Sequence, residues 1–436
     1  MYNILAQSGA FLDYGVKAVS SINLNWIGNI IRWLIEGVGI VGVGIIVFTL
    51  ILKTIVLPLD IYSRIKTKKQ ALVMEKMRPQ MEKLQKQYAN DKQLYNQKVM
   101  ELQKKSGYSV FGACLPMIVS LVIFIIVFNA FSTYSQYANL ENYNGMVKVY
   151  NQAVSQFVTD SADPDSAGFL IAYDAEGNLI QTGSDVAVND YKVDFDKFVK
   201  YYYINENEGE VMTEREAFDD LFARYVEKKG DPKVSEEYLA TEDAKLTLVD
   251  FYIEEPAAAA VKDWYEKNNN SFLWVGNLWY PDSMLNKEIP DFSKFRSTLT
   301  QASISADYQT SYNRVTAQLS QAKNTYNGYF VLIVLSIGGM LLQQFISMKA
   351  NKSVNDLGTV DGSGAMTNKM MMVMMPLIYG IFSFFYSAAF SIYMITNTVY
   401  SIITTLIINK AMDVWFGRKE REAEISRLSN KSKNKK

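Results

Sequence analysis

GIVGVGIIVFTLILKTIVLPLD, residues 39–60, is an apolar run broken by a single lysine, Lys53, before it closes on Asp60. At about 1.5 Å per residue it is long enough to cross a hydrocarbon core of roughly 30 Å as a helix. A lysine near the middle of such a helix costs roughly 2.5–3.5 kcal/mol on insertion scales, so Lys53 needs a reason. Two are open. Lys53 stands toward one end of the run, and its stem can lift the ammonium to the headgroups. Alternatively, Lys53 faces a water-filled cavity between helices and marks a substrate path. Thr49 lies one turn before it and Thr54 directly after it.

The rest of the chain fits a membrane setting. Of 436 residues 49% are hydrophobic, yet the mean hydropathy is −0.03. Apolar blocks must therefore alternate with polar ones, the mark of spans joined by sizeable soluble parts. There is no histidine and one cysteine, Cys114. That excludes Ser-His-Asp and Cys-His catalysis, histidine–metal sites and an intrachain disulfide. Cys114 opens an apolar run and is expected to pack rather than react. No G-x-x-x-x-G-K-[ST] loop occurs, so neither a nucleotide nor any other cofactor is expected. The opening MYNILAQSGAFLDYG lacks a basic region and an apolar core, so no cleaved signal peptide is expected.

Residues 1–36 are expected to form an exterior segment and an interfacial helix. In INLNWIGNIIRWLIE, residues 22–36, Trp26, Ile30, Trp33 and Leu34 recur at helical spacing among polar residues. The first span is set at 37–59. Residues 60–112 hold 12 Lys/Arg and 5 Asp/Glu. There Met74, Met77, Met81, Leu84 and Tyr88, then Tyr95, Val99 and Leu102, make apolar stripes around a YANDK turn, predicting an antiparallel helical hairpin. Packing between its helices is the first use of the methionine stripe. A second is contact with varied apolar partners through Met77 and Met81.

ACLPMIVSLVIFIIVFNAF sits in a second span, 113–133. Residues 134–327 hold 17 Lys/Arg against 32 Asp/Glu. Within them 134–270 is expected to be an inserted α+β domain. GFLIAYDAEGNLIQTG, 168–183, reads as two strands around AEGN, and TEREAFDDLFARYVEKKGDP, 213–232, as a helix capped by Thr213 and ended by Gly230. Residues 271–327 lead to the third span, 328–347, and 291–327 look helical. After a loop at 348–368, residues 370–409 run 40 residues without a formal charge, about 60 Å of helix. The region 369–409 is therefore two spans, with a turn near Ser387. The tail 410–436 holds 9 Lys/Arg against 4 acids. The positive-inside rule puts the hairpin and tail in the cytoplasm and the acidic region outside. Five spans with the N-terminus outside satisfy that parity. Polar candidates facing the bundle interior are Thr49, Lys53, Ser120, Gln343, Thr396 and Asn397. Each alone is ordinarily a packing hydrogen bond of about 0.6 kcal/mol.

Several stretches resemble the YidC family of membrane protein insertases. LILKTIVLPL (50–59) is similar to the end of that family's first span, and RPQMEKLQKQYANDKQLYNQKVMELQKKSGYSVFGACLPM (78–117) to its cytoplasmic hairpin and second span. FLWVGNLWYPD (272–282) resembles the segment before its third span, and KMMMVMMPLIYGIFSFFYSAAFSIYMITNTVYSII (369–403) its last two spans. The resemblance implies an all-α polytopic membrane protein of the bacterial plasma membrane, with a five-span insertase core, a cytoplasmic hairpin and an extracytoplasmic insert. It implies a hydrophilic groove that takes up nascent membrane proteins and releases them to the lipid bilayer without nucleotide hydrolysis, and no enzyme activity. Lys53 takes the place of the family's arginine and Met394 that of a tryptophan, and Ser120, Leu121 and Val122 stand where Q-x-P is usual. The ribosome is a candidate partner of the basic tail, with anionic lipid as the alternative, and the Sec translocon is a further candidate. Two other classes stay open: a secondary transporter, whose repeats are not seen here, and a scaffold or receptor acting through the acidic domain.

Overall fold

The computed structural model describes residues 16, 18–106, 110–159, 168–174, 176–180, 190–206, 214–229, 242–302, 304–350, 377–378 and 380–433. In chain order these form α1 (Trp26–Val38), α2 (Val41–Gln87), α3 (Lys92–Lys105) and α4 (Val110–Ser155), then β1 (Leu170–Tyr173) and β2 (Asp190–Val193). There follow α5 (Phe195–Glu206), α6 (Glu214–Lys229), α7 (Glu242–Asn268), α8 (Phe292–Thr298), α9 (Tyr308–Val315), α10 (Ser320–Asn324), α11 (Val331–Ala350) and α12 (Ala388–Lys433). The chain is an all-α polytopic membrane protein, with one small sheet among the described residues. It divides into two compact units.

The first unit comprises Asn23–Ser135, Asn270–Glu288 and Tyr326–Lys436. Among the described residues three of its helical stretches are long and apolar enough to cross a membrane, Val41–Lys66, Leu121–Ser155 and Ala388–Trp415, the second running on past Ser135; Val331–Ser347 is a shorter apolar helix. Residues 369–376, which open the expected fourth span, lie outside the described residues, and 380–385 are helical. The helices leave large apolar side chains exposed, among them Ile55 on α2, Ile125 on α4, Val334 on α11 and Ile407 on α12. Large apolar side chains exposed along such helices suit a lipid surround.

Local signals explain the boundaries. Asn25 starts α1 by accepting from the Gly28 N–H, and Gly39, at φ 76°, ends it in the left-handed region. Ile30, Trp26 and Trp33 are exposed on α1 while Ile31 and Ile35 are buried. The helix α2 is 47 residues long and contains Pro58 and Pro79. The boundary drawn after residue 59 is therefore no break: the span and the first arm of the hairpin are one helix. Asp91 opens α3 by accepting from the Leu94 N–H at 2.9 Å. Met77 and Met81 of α2 then bury against Tyr95 and Val99 of α3, with Leu84 and Leu102 alongside.

The second unit comprises Met1–Ile22, Gln136–Asn269 and Ile289–Thr325. Asn144 and Asn151, two turns apart on α4, each present a side-chain amide to the extended chain before α1. Asn144 accepts from the Val19 N–H at 2.9 Å and donates to the Val19 carbonyl at 2.8 Å. Asn151 does the same at Val16, at 3.1 and 3.0 Å. An aromatic cluster forms the core, with ring centroids 5.1 Å apart for Phe169–Phe198 and 4.6 Å for Tyr202–Tyr252.

The expected hairpin around AEGN forms as a short pairing, and residues 181–183 of its second strand lie outside the described residues. The turn forms: Asp174 accepts from the Asn178 side chain at 3.0 Å and from the Asn178 and Glu176 N–H groups at 2.6 and 3.0 Å. These hydrogen bonds, that from the Asn178 side chain foremost, hold the Asp174 carboxyl below its ordinary value. Beyond the turn Leu179 bridges Tyr173 in antiparallel sense, the Asp174 N–H donates to the Asn178 carbonyl and the Ile180 N–H to the Ala172 carbonyl, both at 2.9 Å, while the longer ladder of β1 is with β2, Leu170 opposite Val193 and Tyr173 opposite Asp190. The helix expected over 213–229 is α6, while its proposed cap Thr213 and stop Gly230 lie outside the described residues. Residues 291–327, expected to look helical, carry three short helices, α8, α9 and α10, among their described residues.

Candidate functional site: a polar cavity among apolar helices

Helices that meet around a polar cavity must first be held by their ends. The first four N–H groups of a helix have no partner within it, and inside an apolar assembly each unpaired group is costly. Residues 272–282 supply the missing acceptors for two helices. Asp282, fully buried, accepts from the Tyr329 and Leu332 N–H groups at 2.7 and 2.6 Å, at the start of α11. The carbonyls of Tyr280 and Leu278 accept from the Ala388 and Ala389 N–H groups, both at 2.9 Å, at the start of α12. Asn327 locks the segment in place: its Oδ1 accepts from the Asn277 N–H at 2.7 Å and its Nδ2 donates to the carbonyls of Asn277 and Pro281. A Cβ on Gly328 would collide with Asp282, and one on Gly42 with the ring of Phe272, so both glycines are required by close approach.

Between these helices lies a cavity of about 270 Å³. Its wall on α2 is the stripe Lys53, Val56, Asp60 and Arg64, which falls on one helical face. Gln343 and Met340 face it from α11, and Met394, Asn397 and Ser401 from α12. Ile123 and Phe124 of α4 close it, and Phe124 lies 6.1 Å from Phe390 and 6.2 Å from Phe382. Arg64 Nη2 is 3.8 Å from Asp60 Oδ2. Asn397 Oδ1 and Arg64 Nε are buried without a hydrogen-bond partner. Buried polar atoms of that kind call for water or a polar guest. The wall therefore offers donors, acceptors and charge to something small and polar, and it holds the charged side chains Lys53, Asp60 and Arg64.

The structure gathers Lys53, Gln343, Met394 and Asn397 around this one space. Thr49 and Thr396 are not on its wall: each hydroxyl donates to a carbonyl of its own helix, that of Ile45 at 2.7 Å and that of Ile392 at 2.9 Å. Ser120 belongs to α4, and its side chain lies outside the described residues. Met77 and Met81 are buried at 3% and 5% exposure between the arms of the hairpin, which is the packing use of the methionine stripe. Sequence reasoning missed Asp60, Arg64 and Ser401. The signal for the first two was their spacing, seven and eleven residues after Lys53, which counts only if the helix runs through Pro58.

The fold and cavity define a multi-pass helical membrane protein with a polar site inside its bundle. The chain matches the model of a family described as 60Kd inner membrane protein over residues 33–172 and 259–415, most of its length, and it belongs to that family. Among curated relatives, a membrane protein insertase YidC of Fusobacterium nucleatum is 41% identical over 91 residues, 21% of this chain and 42% of the relative. One from Alkalilimnicola ehrlichii is 34% identical over 118 residues, 27% of this chain and 20% of the relative. One from Leptospira interrogans is 43% identical over 67 residues, 15% and 11%. The chain thus spans less than half the length of these relatives. No solved structure matches it.

Proposed function

We propose that this protein is a membrane protein insertase: it receives transmembrane segments of nascent membrane proteins in its polar cavity and releases them into the bilayer without nucleotide hydrolysis. The observation that carries the reading is the polar wall formed by Lys53, Gln343 and Asn397 within apolar helices. Water held there shortens the distance over which the polar flank of a segment must cross hydrocarbon. Lys53 attracts an acidic flank, and the apolar part slides into lipid, gaining about 0.8 kcal/mol per CH₂ buried. An ammonium is a compact charge, so it attracts a carboxylate without the two-point hold a guanidinium gives. The names of the relatives support the same reading. In it the hairpin and basic tail face the cytoplasm, where the tail meets the ribosome or anionic lipid, and the acidic unit faces outside. Cooperation with the Sec translocon belongs to the same proposal.

The test is complementation of cells depleted of their general insertase, with substrates of acidic or neutral outer tail. Lys53→Gln is expected to impair acidic-tailed substrates more than neutral ones, Lys53→Arg to retain or improve activity, and Lys53→Glu to be worst. Full activity of Lys53→Gln on acidic tails, with normal protein levels, would leave Lys53 a snorkelling residue and overturn its role. Failure of the wild-type chain to insert any substrate would favour a scaffold acting through the acidic unit.

A further inference from the structure

Three charged side chains line the cavity among the described residues, and all lie on one face of α2: Lys53, Asp60 and Arg64. The insertion reading draws only on Lys53. The other two form an ion pair one helical turn apart, with the acid on the N-terminal side, the favourable orientation for such a pair. The pair is long at 3.8 Å, and both side chains keep some exposure, 35% for Asp60 and 23% for Arg64. Such a pair is weakly held and opens readily to a competing carboxylate. It also uses only one corner of the guanidinium, since Arg64 Nε is buried without a hydrogen-bond partner. No carboxylate lies within ion-pair distance of Lys53 among the described residues.

We propose that Asp60 is a specificity-determining residue: as resident counter-ion of Arg64 it holds the cavity wall at one net positive charge, and so sets how acidic an outer tail the cavity accepts. The inference rests on the insertase reading of the same cavity. In a space walled by apolar helices, charges act on one another more strongly than in water. A tail bearing one carboxylate finds Lys53 in contact with no other carboxylate, Asp60 being paired to Arg64. A tail bearing several meets Asp60 as a like charge and must displace it from Arg64 to be matched. Arginine, three turns from Lys53, then supplies the two-point hold on a carboxylate that lysine lacks.

The test uses the full chain in insertase-depleted cells and one single-span substrate whose outer tail carries no, one or three acidic residues. Insertion is read as cleavage of the tail by protease added outside the cells, with each variant's membrane level measured alongside. Asp60→Asn is expected to shift the ratio of triacidic to neutral insertion upward by about threefold, the size expected of a partly exposed pair. Arg64→Gln is expected to shift it downward by a similar factor. The double variant restores one net positive charge, and its ratio should return to near that of the wild type. A purely structural role for the pair predicts instead that each variant changes all three tails alike, or that the double variant is no nearer the wild type than either single one; either result overturns the proposal. If Asp60→Asn fails to accumulate, the comparison of Arg64→Gln with the double variant decides: adding Asp60→Asn must still raise the ratio, and an unchanged ratio overturns it. A wild-type chain that inserts none of the three tails refutes the insertase reading and this inference with it; an active wild type whose variants show no dependence on tail charge refutes this inference alone.

Discussion

Asp282 and Leu332, fifty residues apart in the chain, are joined by a 2.6 Å hydrogen bond from the Leu332 N–H to Asp282 Oδ2, while Oδ1 of the same carboxylate accepts from the Tyr329 N–H. One buried side chain thus satisfies two N–H groups at the head of α11. The preceding residues do the same for α12 through the carbonyls of Leu278 and Tyr280. Since α11 and α12 carry Gln343, Met394 and Asn397, the segment 272–282 positions two walls of the cavity without lining it.

Replacing Asp282 should therefore loosen the fold rather than alter charge at the site. Asp282→Ala leaves the buried Leu332 N–H and the half-buried Tyr329 N–H unpaired and is expected to cost about 2–4 kcal/mol. Asp282→Asn should rescue little, because both oxygens accept in the native structure and an amide offers only one. Thermal unfolding of the purified chain in detergent checks this. A variant that unfolds at the wild-type temperature would show that the cap carries no stability.

The buried methionines of the hairpin give a second expectation. Met77→Ala or Met81→Ala should cost about 2–3 kcal/mol of local stability by emptying the contact between α2 and α3. Hydrogen exchange of the α3 amides should accelerate accordingly. In a Cys114→Ser background, a cysteine at position 77 should react with a water-soluble maleimide much more slowly than one at Met100, which is 54% exposed against 3% for Met77. Equal rates would mean that the hairpin opens freely and that Met77 is available to partners.

Glu288 sets a pH dependence. Burial raises its carboxyl above the ordinary glutamate value. Burial penalises the charged form more in the folded than in the unfolded state, so the contribution of Glu288 to stability is full below the ordinary glutamate value and is lost as the pH rises through the raised folded-state value. Glu288→Gln should consequently raise the melting temperature at pH 7, and the difference from the wild type should shrink toward pH 4. A difference that grows on acidification would reverse the sign and refute the account.

Much of the architecture was legible without coordinates. The apolar run at 39–60 must be helical if it meets lipid, because only hydrogen bonds within the segment can satisfy its backbone there. The stripe Met77, Met81, Tyr95 and Val99 specified the hairpin core because helical periodicity is a local property. The lone Lys53 pointed to a site because an intramembrane charge is costly.

What tertiary structure alone decided involved partners distant in sequence. Besides its short pairing with residues 178–180, β1 forms its four-residue ladder with Asp190–Val193, a partner that a turn motif does not encode. The FLWVGNLWYPD segment became a double helix cap only because the fold brings it to residues 329–332 and 388–389. Asp60 and Arg64 joined Lys53 on the cavity wall because α2 continues past Pro58. A proline marks where a helix loses one donor; whether the helix stops there depends on what the rest of the molecule packs around it.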